Sequence, residues 1–311
     1  MPDWLQSFLV SENDEKEQWD FRCSDSMSNW TTFRIGGPAD LIALPGSINQ
    51  FISLLQRAAD TGIDYEVIGG GSNLIVRDGG IPGLVIVIRD SLTGIDMPSD
   101  RSIRVAAGTR LTELARFAGE HGLSGLEFAV GIPGTVGGAI RMNAGAFGAE
   151  IGGFISDIEI IDEECRFYRV PAEQIEFTYR STVLADRPKS SAWWISGAIF
   201  KLEPDDPQLI RQRMDAFTRE RLSKQPVQFP SAGSIFKRPD GLFPGKLIEE
   251  CGLKGFRIGR AEVSEQHAGF IINRGGATAR DTLLLIEHVQ NEVMRLLGVA
   301  LELEVRIIGV D

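Results

Sequence analysis

Short amphipathic helices alternate with short strands along this chain, without the regular strand–helix–strand period of a parallel array, and this pattern predicts an α+β fold. Two further observations shape that expectation. Glycine punctuates nearly every predicted element boundary. At 311 residues, the chain is long enough for two or three domains.

Residues 1–30 are polar and irregular, with the charged run "SENDEKEQWD", and are expected to form an N-terminal arm. The folded body is expected to begin at Thr31. "INQFISLLQRAADTG" places Ile48, Phe51, Leu54, Leu55 and Ala58 at helical spacing, and Gly62 ends it. "YEVIGGGSNLIVRDGGIPGLVIVI" reads as three strands separated by two glycine turns. "LTELARFAGEHG" is a second amphipathic helix, stopped by Gly122. The segment 131–153 holds eight glycines in 23 residues, too many for a regular helix. "FISDIEIIDEECRFYRV" and "WWISGAIFKLE" read as strands.

Pro207 suits the first turn of a longer helix, "PQLIRQRMDAFTRERLSKQ". That region marks the expected boundary, giving a body of 31–203, subdivided near residue 95, and a C-terminal domain of 204–311. In the latter, "GKLIEECG" reads as a short helix and "AGFIIN" as a strand. "TLLLIEHVQNEVMRLLG" is a clear helix with an apolar stripe of Ile286, Val289, Val293 and Leu296 and a stop at Gly298. "LELEVRII" reads as a closing strand, with Leu301, Leu303, Val305 and Ile307 on one face.

The composition excludes several classes. A formal charge of −11 argues against a nucleic-acid-binding surface. No apolar run reaches the ~20 residues of a membrane helix, and the N-terminus lacks a basic, then apolar, leader. Cys23, Cys165 and Cys251 are far apart and form no CxxC pair, which fits a reducing cytoplasm. His121, His267 and His288 share no metal-ligand spacing, so no metal is expected. Nothing demands more than a monomer.

Two segments invite chemistry. "VIGGGSNLIV" is neither a Rossmann fingerprint nor a P-loop, because a strand rather than a helix follows it. Gly69, Gly70 and Gly71 could still converge backbone N–H groups on a phosphate, with Ser72 and Asn73 adding polar atoms; a tight hairpin is the other reading. The long glycine-rich segment suits close backbone approach to an extended ligand, or a knot of turns. Together the two favour a large cofactor with a pyrophosphate and a ring system.

"TTFRIGGPAD", "VIGGGSNLIV", "GIPGTVGGAIRMNAGAFGAEI", "YRST", "PSAGSIFKRP", "GKLIEECGLKG", "VSEQHAGFIIN" and "EVRIIG" occur in this order and spacing. From Thr31 to Gly309 the chain thereby resembles the UDP-N-acetylenolpyruvoylglucosamine reductases, the MurB family of bacterial cell-wall synthesis. The short connection after "YRST" is similar to the subtype lacking an extra tyrosine-bearing loop. The chain departs from the family's pattern at Trp30, Arg141, Arg260 and Gln266.

The resemblance implies an N-terminal FAD-binding region of the vanillyl-alcohol-oxidase (PCMH) type, built of two α+β subdomains, and a C-terminal α+β substrate-binding domain. It implies that NADPH reduces non-covalent FAD, which passes hydride to the enolpyruvyl group of UDP-N-acetylglucosamine enolpyruvate. Cofactor contact is implied for Gly69, Gly70, Gly71, Ser72, Asn73, Leu74, Gly131, Pro133, Gly134, Gly137, Gly138, Asn143, Ala144 and Gly145.

It also implies that Arg180 and Glu304 stabilise charge developing on the substrate, that Ser234 donates a proton to carbon, and that Lys246, His267 and Asn273 meet the substrate. On the residues alone these roles stay open. Arg180 also reads as a surface arginine beside Tyr179, Glu304 as one side of a solvated strand face, and Ser234 as a turn former. A flavin oxidase acting on an alcohol and a non-catalytic flavin-binding protein are the competing readings. His121, the one histidine of the N-terminal half, precedes a helix-ending glycine and makes a poor flavin tether.

Overall fold

A computed structural model describes residues 4, 5, 8, 19–185, 187 and 192–311. The chain divides into two compact units that interleave in sequence. The first comprises Met1–Phe21, Ile42–Gly70 and Leu84–Arg221; the second comprises Arg22–Leu41, Gly71–Gly83 and Leu222–Asp311.

In the first unit, the helix Ile48–Thr61 forms where the apolar period requires. Ser47 caps it by accepting from the Gln50 N–H, and Gly62 ends it at φ +65°. Phe51, Leu54, Leu55 and Ala58 are the buried face. The next strand, Tyr65–Ile68, pairs in parallel with Leu84–Val87 of the strand Ile81–Val87.

This unit also holds a five-stranded antiparallel sheet, in the order Phe167–Pro171, Ile155–Ile161, Trp194–Lys201, Ser102–Ala106, Ile95–Ser99. One face packs against the helices Leu111–Glu120 and Val136–Arg141 through Ile103, Leu114, Ile140, Ile158 and Phe200. Glu159 is buried, bonded to Arg104 and Arg169 at 2.8 and 3.0 Å. Its cross-strand partner is Gly197, where a Cβ would fall 2.7 Å from the carboxylate. Glycine there leaves room for the ion pairs.

The second unit contains a four-stranded antiparallel sheet ordered Ser231–Ser234, Phe270–Asn273, Ala261–Val263, Arg257–Ile258. Its core joins Ile235, Ile271, Leu285 and Val289 to Phe33, Ile35 and Ile75 from the two early segments. The helix Ala279–Leu297 starts at a capping box between Thr278 and Asp281 and ends at Gly298, φ +68°. Leu74–Val76 pairs in parallel with Arg306–Ile308.

Several expectations are corrected. The polar arm stops short of residue 30, because Asp20–Ser26 is a strand and Met27 and Trp30 are buried. The units divide at Arg221 and Leu222, inside the helix Pro207–Lys224, rather than at 203–204. Local periodicity carries no signal of the long-range packing that decides this. The glycine-rich segment does contain a helix, Val136–Arg141. Thr135 caps it, and Gly137 lies so close to Ala107 that a Cβ would come within 2.9 Å of its methyl; close packing here outweighs glycine's low helix propensity. The closing strand is only Arg306–Ile308, because residues 301–305 are held through bonds to 235–237 and Asn73 instead of a continuous ladder. Leu296 is exposed, since the helix has outrun the core by its last turn.

Candidate functional site

Two glycine loops meet in the first unit. A Cβ on Gly69 would lie 2.4 Å from Thr135 Oγ1, and one on Gly70 would lie 2.5 Å from the Gly134 Cα. Backbone therefore packs on backbone, which is the steric reason for glycine at 69 and 70. The second loop is fastened from behind, since Leu111 N donates to Gly134 O at 3.1 Å and Val136 N to Thr109 O at 2.9 Å. Gly138 has open space around its Cβ position, apart from Thr135 Oγ1 at 3.5 Å. Gly69, Gly70 and Gly134 thus bring two half-buried backbone loops into contact next to a capped helix start, with space left at Gly138, and backbone N–H groups gathered in this way could hold the diphosphate of an extended cofactor.

The other residues expected at the cofactor have mixed surroundings. Pro133 is exposed and Ala144 buried. Gly131 lies under the Arg221 side chain, 2.6 Å from Cβ position to Cδ. Asn143 is buried, and its side chain is committed within the protein. Nδ2 donates to Glu150 Oε2 at 2.7 Å and Thr178 O at 3.0 Å, while Oδ1 accepts from Gly152 N. Gly71, Ser72, Asn73 and Leu74 fall in the second unit, where a Cβ on Gly71 would strike the Trp30 carbonyl at 2.1 Å.

Arg180 belongs to the first unit. It sits at the two-residue turn between the paired strands Phe177–Thr178 and Ser181–Thr182, with φ +59°. Nη1 donates to Gly145 O at 3.1 Å, and the guanidinium carbon is 5.8 Å from the Tyr179 ring centroid. Sequence reasoning missed Arg221, which looked like one more arginine on a charged helix. Burial, then the nearby Arg180 charge, holds its guanidinium below the ordinary arginine value. No carboxylate among the described residues pairs with Arg221. Two neighbouring guanidiniums with no carboxylate pairing one of them favour an anion.

Ser234 and Glu304 belong to the second unit, on segments bonded to each other next to both residues. Ser231 faces Ile272 and Ser234 faces Phe270, so the serine strand carries one extra residue, a bulge. Gly233 supplies it at φ +78°, with nothing within 4 Å of its Cβ position. The glycine is required by conformation, not crowding. Glu304 N donates to Ile235 O, and Lys237 N to Glu302 O, both at 2.8 Å. Asn73 Nδ2 donates to Glu304 O at 3.0 Å. Glu304 is half-buried, not on a solvated strand face.

His267 is half-buried against Gly245 and Gly269. Its Nδ1 accepts from Gly269 N at 3.1 Å, which places the proton of the neutral ring on Nε2. Burial holds the ring's pKa below the ordinary imidazole value. Lys246 is exposed, with Nζ 5.5 Å from the Phe243 ring centroid. Asn273 ties a loop: Nδ2 donates to Phe33 O and Arg34 O, and Oδ1 accepts from Gly275 N and Ala277 N. Gln266 Nε2 caps the end of the long helix by donating to Leu222 O and Ser223 O. Among the described residues, no cluster of His, Cys, Asp and Glu could hold a metal, and no helix is long and apolar enough to cross a membrane.

The class follows from these loops together with a family match. Residues 39–163 match the FAD binding domain, so the chain is a flavin-binding oxidoreductase of α+β architecture. Residues 225–308 match the UDP-N-acetylenolpyruvoylglucosamine reductase C-terminal domain. UDP-N-acetylenolpyruvoylglucosamine reductases of Clostridium perfringens and Pediococcus pentosaceus are similar at 42% and 45% identity over 292 and 287 residues. These matches cover 94% and 92% of this chain, and 94% and 93% of those proteins. The crystal structure of the Thermus caldophilus enzyme (MurB) superposes with a TM-score of 0.78 at 33% identity, covering 93% of this chain and 98% of that one. The chain belongs to the UDP-N-acetylenolpyruvoylglucosamine reductase family.

Proposed function

We propose that this protein uses NADPH to reduce UDP-N-acetylglucosamine enolpyruvate to UDP-N-acetylmuramate. The observation that carries the reading is that the segment holding Glu304 bonds to the one holding Ser234, through Glu304 N to Ile235 O, in a chain whose other unit holds Arg180 beside Arg221.

A flavin held by the loops of Gly69, Gly70 and Gly134 would supply the hydride, drawn from NADPH, for the terminal enolpyruvyl carbon. Negative charge then develops on the adjacent carbon and spreads into the carboxylate. Arg180 grips that carboxylate, because a guanidinium stays charged and can bond it at two points. Glu304 acts as the protonated acid, donating a hydrogen bond to the same growing charge. Ser234 gives its hydroxyl proton to the adjacent carbon, completing the saturated product, and recovers a proton from solvent. A serine hydroxyl is a weak acid, so pre-positioning on the Gly233 bulge matters. His267, as a neutral N–H donor, and Lys246 line the substrate side. The work is cytoplasmic and requires only one copy of the chain.

The test is to record the flavin spectrum of the purified protein, reduce it anaerobically with NADPH, and add the enolpyruvyl substrate. Reoxidation dependent on that substrate is expected. Bleaching that the substrate cannot reverse contradicts the proposal, and flavin reduction by an alcohol followed by reoxidation with oxygen would point to the oxidase reading.

A further inference from the structure

Residues Gly145–Ala146 and Ala149–Glu150 form a hairpin closed by Phe147 and Gly148, whose φ angles are +54° and +84°. Two-residue hairpins favour this left-handed turn, which asparagine and glycine normally supply. Phenylalanine is disfavoured there. A strained residue persists only where its surroundings over-determine it, and such residues gather at functional sites. The partner here is Phe217 on the helix Pro207–Lys224. The two rings stack with centroids 4.5 Å apart and planes 19° apart, although Phe147 remains 39% exposed. Asparagine or glycine would make the turn more easily but would lose the stack.

Both ends of this contact lead to a guanidinium. The hairpin begins at Gly145, whose carbonyl accepts from Arg180 Nη1 at 3.1 Å. On the helix, Arg221 lies four residues beyond Phe217, on the same face. Its side chain covers Gly131 and senses the Arg180 charge. Two like charges move apart unless the backbone beneath them is held. The chemistry above uses neither phenylalanine.

We propose that Phe147 is a positioning residue: stacked on Phe217, it fixes the Gly145 carbonyl that orients Arg180, and so sets Arg180 and Arg221 as one clamp for an anionic group. The inference rests on the reading that Arg180 grips the substrate carboxylate. The stack joins the element that aims one cation to the element that carries the other, and the positive φ of Phe147 is the cost of that connection.

Phe147→Gly removes the ring and the unfavourable φ together, whereas Phe147→Tyr keeps the ring. The flavin-loaded forms are reduced with NADPH and then mixed with the enolpyruvyl substrate. If the wild type is not reoxidised, the reading of Arg180 falls and the proposal with it. With the wild type reoxidised, Phe147→Gly is expected to keep its flavin, melt within a few degrees of wild type, and accept hydride from NADPH within about twofold. It is expected to bind the enolpyruvyl substrate ~5–10-fold more weakly and to be reoxidised ~tenfold more slowly, the scale of a small misplacement. Phe147→Tyr restores both. In an Arg180→Lys background, Phe147→Gly adds less than about twofold, because its effect passes through the arginine. Additive losses in the double variant, or normal substrate binding and reoxidation in Phe147→Gly, overturn the proposal.

Discussion

Gly70 and Ser234 can each be changed to alanine by altering a single atom, yet opposite failures are expected. A Cβ on Gly70 meets backbone at Gly134 Cα, which cannot swing aside as a side chain would. Gly70→Ala should therefore be purified with little flavin, seen as a low visible-to-ultraviolet absorbance ratio; full flavin content would show that the loops can separate. Ser234→Ala leaves the bulge intact, since Gly233 supplies its conformation. This variant should be reduced by NADPH at the normal rate, with turnover lowered by ~10²-fold or more, the usual contribution of a positioned proton donor. Near-normal turnover would remove Ser234 from the chemistry. Ser234, Arg180 and Glu304 were legible as a set only through the resemblance, because each has an ordinary structural reading. Arg221 was illegible because its distinguishing features, partial burial and a cationic neighbour, belong to three dimensions. Asn143 and Asn273 show the converse: their positions match the family, but their amides are spent on backbone and a neighbouring carboxylate.

At the level of elements, caps and glycines made the long helices readable. The helix Ala279–Leu297 carries its start signal at Thr278, where Asp281 N donates to Thr278 Oγ1 at 2.9 Å and Thr278 N donates to Asp281 Oδ2 at 3.2 Å. Thr278→Ala should cost about 1 kcal/mol, lowering the melting temperature by roughly 2–4 °C for a domain of this size. No measurable shift would mean that packing alone holds the helix. Short elements were harder to read. Val136–Arg141 hides behind glycines that serve packing, and the last strand is three residues because Glu304 bonds to Ile235 and Asn73 instead. The turn around His267 should respond to acid. Burial keeps the folded imidazole below its ordinary value, so the unfolded chain takes up a proton more readily. Stability from this group is complete above about pH 6.5 and is lost as pH falls through the folded value. Thermal melts should decline as pH falls below about 6.5, and His267→Asn should flatten that decline; an unchanged slope would assign it to other groups.

For the whole molecule, composition excluded nucleic acid and metal chemistry as first readings and indicated more than one domain. It could not show that the second unit is assembled from three separated segments. Helical and strand periods are local, whereas Phe33, Ile35 and Ile75 enter the core with Ile271 and Val289 from residues far downstream. A fragment of residues 222–311 therefore lacks part of its own interior. It also lacks the Phe33 and Arg34 carbonyls that Asn273 bonds. Expressed alone, this fragment should show dispersed secondary structure without a cooperative melt; a sharp thermal transition would show that its core closes without the early segments.

Interleaving also sets a timetable for synthesis. Arg22–Leu41 leaves the ribosome early, and Gly71–Gly83 soon after it, but the long segment that completes their unit begins only at Leu222. At about 5–20 residues per second, that wait lasts roughly ten to forty seconds. During it, Phe33 and Ile35 have no native interior to enter, while the five-stranded sheet of the first unit, complete once Lys201 emerges, can already form. The newborn chain is thus most open to chaperones and to misassociation in a piece that was made early.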